Sequence, residues 1–275
     1  MSVARKQILV AGSFDDVRSS HIRFLEEASR FGDLTILLWN DEALRALSNK
    51  TPKFTEAERL YLLRSIRFVN HVKLSGGPMD AQWESQLEAI QPAMWVSLSD
   101  QEEAILADVC MKLGVEHRVL HEEALRGFPE LPASPSTPGR KKVMVTGCYD
   151  WLHSGHVRFF EEVSAYGDLY VVVGNDANVR MLKGPRNPMH SQDERRYVAG
   201  SIGFVKQALI STGQGWLDAE PELLQIKPDI YAVNEDGDKG GKGEFCQKHG
   251  IEYLVLKRTP APGLPRRSST DLRGY

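Results

Sequence analysis

Two rhythms of apolar and polar positions keep replacing each other along this chain. Short unbroken apolar runs, "QILVAG" at 7–12 and "KVMVTG" at 142–147, end in glycine and read as buried parallel strands. Behind each comes a stretch with apolar residues at helical spacing and a glycine at its stop, "HIRFLEEASRFG" at 21–32 and "HVRFFEEVSAYG" at 156–167. "DLTILLWND" and "DLYVVVGND" follow as second strands, and "EAERLYLLRSIRFV" and "DERRYVAGSIGFV" as further helices. "HVKLSG", "KQALIS", "DIYAVN" and "EYLVLK" supply the remaining strands. Strand and helix in turn predict an α/β protein with doubly wound parallel sheets, whose ligands sit at the carboxyl ends of the strands.

The quoted pairs form an internal repeat. His21 and His156 stand 135 residues apart, as do Asn40 and Asn175, while Arg59 and Arg195 stand 136 apart after one inserted residue. "CMKLGVEHRVL" and "CQKHGIEYLVL" close the series in the same order. Between the copies, "PELPASPSTPGRKK" carries four prolines and predicts an extended linker. The expected organisation is a domain at 1–128, a linker at 129–140 and a second domain at 141–275.

Composition narrows the function. A hydrophobic content of 41% and a charged content of 26% are those of a soluble globular protein. A net charge of −3 gives no general pull toward nucleic acid or an anionic membrane, so any phosphate binding must come from local clusters. The apolar run near the N-terminus is too short for a signal peptide or a membrane span. Three scattered cysteines make no disulfide framework. A cytoplasmic protein without nucleic-acid or membrane partners is expected.

Candidate chemistry gathers where the first strand of the second copy ends. "GCYDWLHSGH", residues 147–156, occupies a strand-to-helix turn, where free amides and the helix dipole favour an anion. His153 and His156 can donate to phosphate oxygens there, and Gly155 lets the backbone approach a ligand. Taken alone, the same pair reads more readily as a helix cap and a packed ring, and the rest of the copy shifts the balance toward phosphate binding. Lys183, in the Gly/Pro-rich "MLKGPRNP", is either a phosphate-binding ammonium or a solvated loop lysine. Arg195 and Arg196 open the next helix beside Asp193 and Glu194, as ligands or as a solvated face. Ser268, Ser269 and Thr270, amid Arg266, Arg267 and Arg273, read as a capped helix start forming a second anion site, or as an ordinary capping box in a basic tail. Two anion sites on one crevice suit a triphosphate.

These residues resemble a family. "GCYDWLHSGH" is similar to the H-x-G-H signature of the nucleotidyltransferase superfamily, with the phosphoethanolamine and glycerol-3-phosphate cytidylyltransferases nearest in look. "DERR" resembles their arginine-bearing helix start, and Arg258-Thr259 with "RSST" and Arg273 resembles a weakened form of their C-terminal R-T-x-G-(I/V)-S-(T/S)-T signature. The resemblance covers residues 141–273 and implies two tandem Rossmann-like nucleotidyltransferase domains, the N-terminal one degenerate. It implies transfer of a nucleotidyl group, CMP from CTP in the leading reading, to a small phosphorylated alcohol or polyol with release of pyrophosphate. An adenylyltransferase using ATP is the alternative, and a non-catalytic nucleotide-binding regulator the second.

By this resemblance His153 and His156 stabilise charge at the α-phosphate and the leaving oxygen. Lys183 holds phosphates, Arg195 binds the substrate's phosphate or the triphosphate, and Ser269 and Thr270 cradle the outer phosphates. Gly147, Cys148, Tyr149, Gly155, Asn234, Arg258 and Ser268 are expected around the nucleotide. Mg²⁺ is expected with the triphosphate, with Asp150 as the candidate for an indirect contact. Asp15, at the same place in the first copy, gives Asp150 a rival reading as a structural turn. The loop "VNEDGDKGGKGEF", 233–245, either closes on the base or substrate or is plain surface.

The first copy has Arg18 for His153 and Ser20 for Gly155, and Glu122 and Glu123 where the second has its serine-threonine cradle. It reads as a catalytically dead partner. An internal pseudo-dimer through "RSIRFVNHV" and "GSIGFVKQA" is expected, with a homodimer of such chains as a further option. The rival reading gives the first copy a regulatory nucleotide held by His21, Lys50 and Arg59.

Overall fold

A computed structural model describes residues 5–77, 83–98, 103–238 and 240–272, and divides the chain into two compact units, Met1–Gly127 and Phe128–Tyr275. In the first unit β1 (Gln7–Gly12), α1 (Ser19–Ser29), β2 (Asp33–Trp39), α2 (Asp41–Ser48), α3 (Glu56–Ser65) and β3 (His71–Ser75) are followed by α4 (Trp83–Ile90), β4 (Met94–Leu98), α5 (Glu103–Leu113) and β5 (Glu116–Leu120). The second unit has β6 (Lys142–Gly147), α6 (Ser154–Ser164), β7 (Asp168–Val173), α7 (Asp176–Lys183), α8 (Gln192–Gly200) and β8 (Val205–Ile210). After these come α9 (Glu220–Ile226), β9 (Ile230–Asn234), α10 (Lys242–Lys248), β10 (Glu252–Leu256) and the short α11 (Ser269–Leu272).

Each unit is a five-stranded parallel sheet, ordered β3-β2-β1-β4-β5 in the first and β8-β7-β6-β9-β10 in the second. This is the predicted α/β doubly wound, Rossmann-like class. Central strands such as Asp168–Val173 are buried along their whole length, because helices cover both faces of a parallel sheet.

The register opens a crevice in the second unit. β6 pairs with β7 as far as Gly147↔Val173, but with β9 only at Val143↔Ile230 and Met144↔Tyr231. Past Met144 the ladder between β6 and β9 stops, and the strand order reverses there, which is where doubly wound sheets bind ligands.

Several expectations need correction. The helices predicted to run through "SIRFV" and "SIGFV" stop at Ser65 and Gly200. Ile66 leaves as extended backbone, and Ile66 and Ile202 are buried in the turn, so the apolar pattern continues where the helix does not. Lys183 is the last residue of α7, not a loop residue. The proline-rich segment is extended, yet it lies along the second unit, and the division falls at Gly127/Phe128. The Phe128 ring meets that of Tyr197 at 5.9 Å, the Thr137 amide donates to Asp168 at 2.7 Å, and the Ser134 amide donates to the Lys206 carbonyl at 3.0 Å. Lys206 belongs to the edge strand β8, so the segment covers an edge.

Candidate active site

The turn between β6 and α6 is built on two glycines. Tyr149 is left-handed at φ +50, which folds its ring back over Gly147, where a Cβ would stand 2.7 Å from the tyrosine Cζ. The buried ring meets His156 edge-on at 5.3 Å and Phe160 at 5.1 Å. Burial raises the Tyr149 hydroxyl pKa, so it stays protonated. His153 is the N-cap of α6, its Nδ1 accepting from the Gly155 amide at 3.1 Å. A Cβ on Gly155 would sit 3.0 Å from that ring. The two imidazoles stack, 3.9 Å apart between centroids.

At the mouth of the β6/β9 crevice lies a cavity of about 220 Å³ lined by Gly147, Cys148, Tyr149, Asp150, Gly155, His156, Lys183, Asn234, Arg258 and Ser269 from the predicted set. That is smaller than the ~300–1,000 Å³ that engulfs a whole ligand, so a nucleotide-sized ligand would extend out of it. Burial lowers the His156 pKa well below its usual value; His153, Arg258 and Lys183 push the same way, against a hydrogen bond to the Trp151 backbone. His156 is therefore neutral at pH 7, and with its one N–H turned to the Trp151 backbone its other ring nitrogen is an acceptor. Arg258 is half-buried, ion-paired with Asp236, and donates to the Arg267 carbonyl at 2.9 Å. Ser269 Oγ donates to the Trp151 carbonyl at 3.3 Å, so the tail is tied to the turn it faces.

Not every candidate reaches the cavity. Arg195, expected to bind phosphate, has a fully buried guanidinium that donates to the carbonyls of His190 (3.0 Å), Cys148 (2.8 Å) and Gly174 (2.8 Å) and pairs with Asp176 at 2.7 Å. It clamps backbone and is not among the described residues that line the cavity. Asp150 lines the wall but accepts from the amides of Met189 (2.9 Å) and His190 (3.0 Å), fixing the loop behind Lys183; the structural reading of this residue is the one observed. His153 and Ser268 are not among the described lining residues. The Thr270 side chain and Arg273 lie outside the described residues. Asp236, Gly237 and Lys242, from the glycine-rich segment 233–245, also line the cavity. Their signal was position, directly after β9 at the switch point.

The first unit repeats the clamp and lacks the cavity's chemistry at the matching turn. Arg59 donates to the carbonyls of Phe54, Ser13 and Trp39 and pairs with Asp41 at 2.8 Å, while Asp15 accepts from the amides of Lys53 and Phe54. Arg18 caps α1 in place of a histidine, and its backbone amide donates to His21 Nδ1 at 3.1 Å.

Residues 144–268 match the family described as cytidylyltransferase-like. The second unit is a cytidylyltransferase-like domain. The chain is also similar to proteins named bifunctional protein HldE. The Campylobacter concisus protein is 38% identical over 117 residues, 42% of this chain and 24% of that protein. The Pseudomonas putida protein is 43% identical over 161 residues, 58% of this chain and 30% of that one. The chain thus spans less than a third of the length of these curated relatives. Among the described residues no helix is long and apolar enough to cross a membrane.

Proposed function

We propose that the second unit transfers a nucleotidyl group from ATP to the phosphate of a sugar phosphate, with release of pyrophosphate. The observation that carries this reading is the convergence of His156, Lys183, Arg258 and Ser269 on one cavity at the switch point, within the cytidylyltransferase-like segment. The sequence resemblance on its own favours CTP and a phosphorylated alcohol or polyol, with ATP as the alternative. The likeness to HldE proteins supports ATP and a sugar phosphate better.

An oxygen of the acceptor's phosphate attacks the α-phosphorus in line. A new P–O bond forms as the bond to the α–β bridging oxygen breaks, and pyrophosphate leaves with that electron pair. His156, neutral before binding with its one N–H turned to the Trp151 backbone, takes up a second proton as the triphosphate's charge enters, and donates that N–H to the α-phosphate as charge builds. Lys183 and Arg258 supply the positive field, and Ser269 the neighbouring hydroxyl. The Asp150 carboxylate is engaged by two backbone amides, so Mg²⁺ is proposed to arrive on the triphosphate, with Asp150 in indirect contact through its remaining lone pairs.

The test is pyrophosphate release by the full chain with Mg²⁺, each of four nucleoside triphosphates, and panels of sugar phosphates and phosphorylated alcohols. ATP with a sugar phosphate is expected to turn over, and His156→Ala to lose about 100-fold or more. Turnover with CTP alone would restore the order the sequence suggested. Tight binding of a triphosphate without turnover on any acceptor would leave a regulator.

A further inference from the structure

Lys242 opens α10 immediately after the β9 turn, while Lys183 ends α7 after β7, so the two cations enter the cavity from elements on opposite sides of β6. The Lys242 ammonium stands 5.6 Å from the centroid of the Tyr231 ring. Tyr231 is fully buried and its hydroxyl is joined to Thr146 Oγ1 at 2.5 Å, which makes the ring a fixed platform for the ammonium. Val233, on β9, and Phe159, on α6, add apolar lining to this cavity. The cations whose charge acts on His156 are Arg258 and Lys183. Because Lys242 and Lys183 come in from opposite sides of β6, a ligand whose phosphates meet Lys183 and His156 turns its other end to Lys242.

We propose that Lys242 is a specificity-determining residue that donates a hydrogen bond to an acceptor atom on the ring of the nucleobase. The inference rests on the reading of the site as one for a nucleoside triphosphate. An ammonium can only donate, so it reads a ring nitrogen or carbonyl and is blind to an exocyclic amino group. On adenine the candidate acceptors are N1, N3 and N7.

Lys242→Met keeps the apolar stem and removes the donor. Calorimetric binding to the full chain is measured for ATP, for its 1-deaza, 3-deaza and 7-deaza analogues, and for inorganic tripolyphosphate. The variant is expected to bind ATP about tenfold more weakly, with tripolyphosphate affinity unchanged. One deaza analogue should bind the wild type about tenfold more weakly than ATP and lose nothing further in the variant. Lys248→Met, at the exposed end of the same helix, is the control and should change nothing. Equal weakening of ATP and tripolyphosphate would make Lys242 a phosphate ligand and overturn the proposal, as would unchanged ATP binding. Failure of the wild type to bind any nucleoside triphosphate would instead overturn the function proposed above.

Discussion

Burial, with His153, Arg258 and Lys183 nearby, holds the His156 imidazole neutral at pH 7, so the free site offers a dipole where a further fixed cation would be costly. The folded pKa lies below the unfolded value of about 6.5, so the unfolded chain takes up the proton first. Stability present above about pH 6.5 is therefore lost as the pH falls through that value. In melting series from about pH 8 to about pH 5.5, the wild type should lose more stability than His156→Gln. Parallel curves would mean that the imidazole is not held neutral. At this scale the residues that chemistry and position both singled out, Gly147, Gly155, His156 and Lys183, line the cavity. Arg195 lies away from that lining, although an arginine in the first turn of an acidic helix looks like a free cation. The correcting signal lay in the repeat, since Arg59 and Asp15 persist in the copy that lost the counterparts of His153 and Gly155.

The carbonyls that Arg195 holds end β7, open the turn after β6 and precede α8, and its carboxylate partner opens α7. One guanidinium thus fixes the mutual placement of four elements around the crevice, a task for a planar fork of five donors. Lysine cannot make the same set, and Arg195→Lys would leave buried carbonyls and part of the Asp176 charge unanswered. The expected cost is about 3 kcal/mol or more, seen as an early unfolding transition in denaturant. Arg59→Lys, which breaks the same pattern in the first unit, should cost a similar amount. If Arg195 instead bound substrate, its lysine variant would raise KM with the unfolding midpoint unmoved. The strands and main helices of both units were legible because buried parallel strands leave unbroken apolar runs. Harder to see was the segment 128–140, because prolines announce extended chain without saying what it lies against. There the decisive groups are backbone amides of Ser134 and Thr137, which carry no side-chain signature.

For the molecule as a whole, the two sheets share one strand order while their first turns differ in charge and in the groups they offer. In the first unit the Asp16 carboxylate pairs with Arg18 at 2.7 Å and with Lys53 at 2.9 Å, so an internal anion already answers the cations beside the turn. His21 Nδ1 accepts the Arg18 amide, and the Arg59 guanidinium is closed off by three carbonyls and Asp41. Two of the three groups that a regulatory nucleotide was expected to use are therefore committed to holding the fold. In the second unit His156, Lys183, Lys242 and Arg258 line one cavity. An anion entering the first turn would have to displace a carboxylate from two cations, whereas one entering the second meets an ammonium at each side and a neutral imidazole. Calorimetry with ATP and Mg²⁺ should accordingly give one site per chain, weakened by His156→Ala and left alone by His21→Ala. Two sites per chain, or equal sensitivity to both substitutions, would show that the first unit binds nucleotide despite its internal ion pairs, and the division of labour between the units would have to be redrawn.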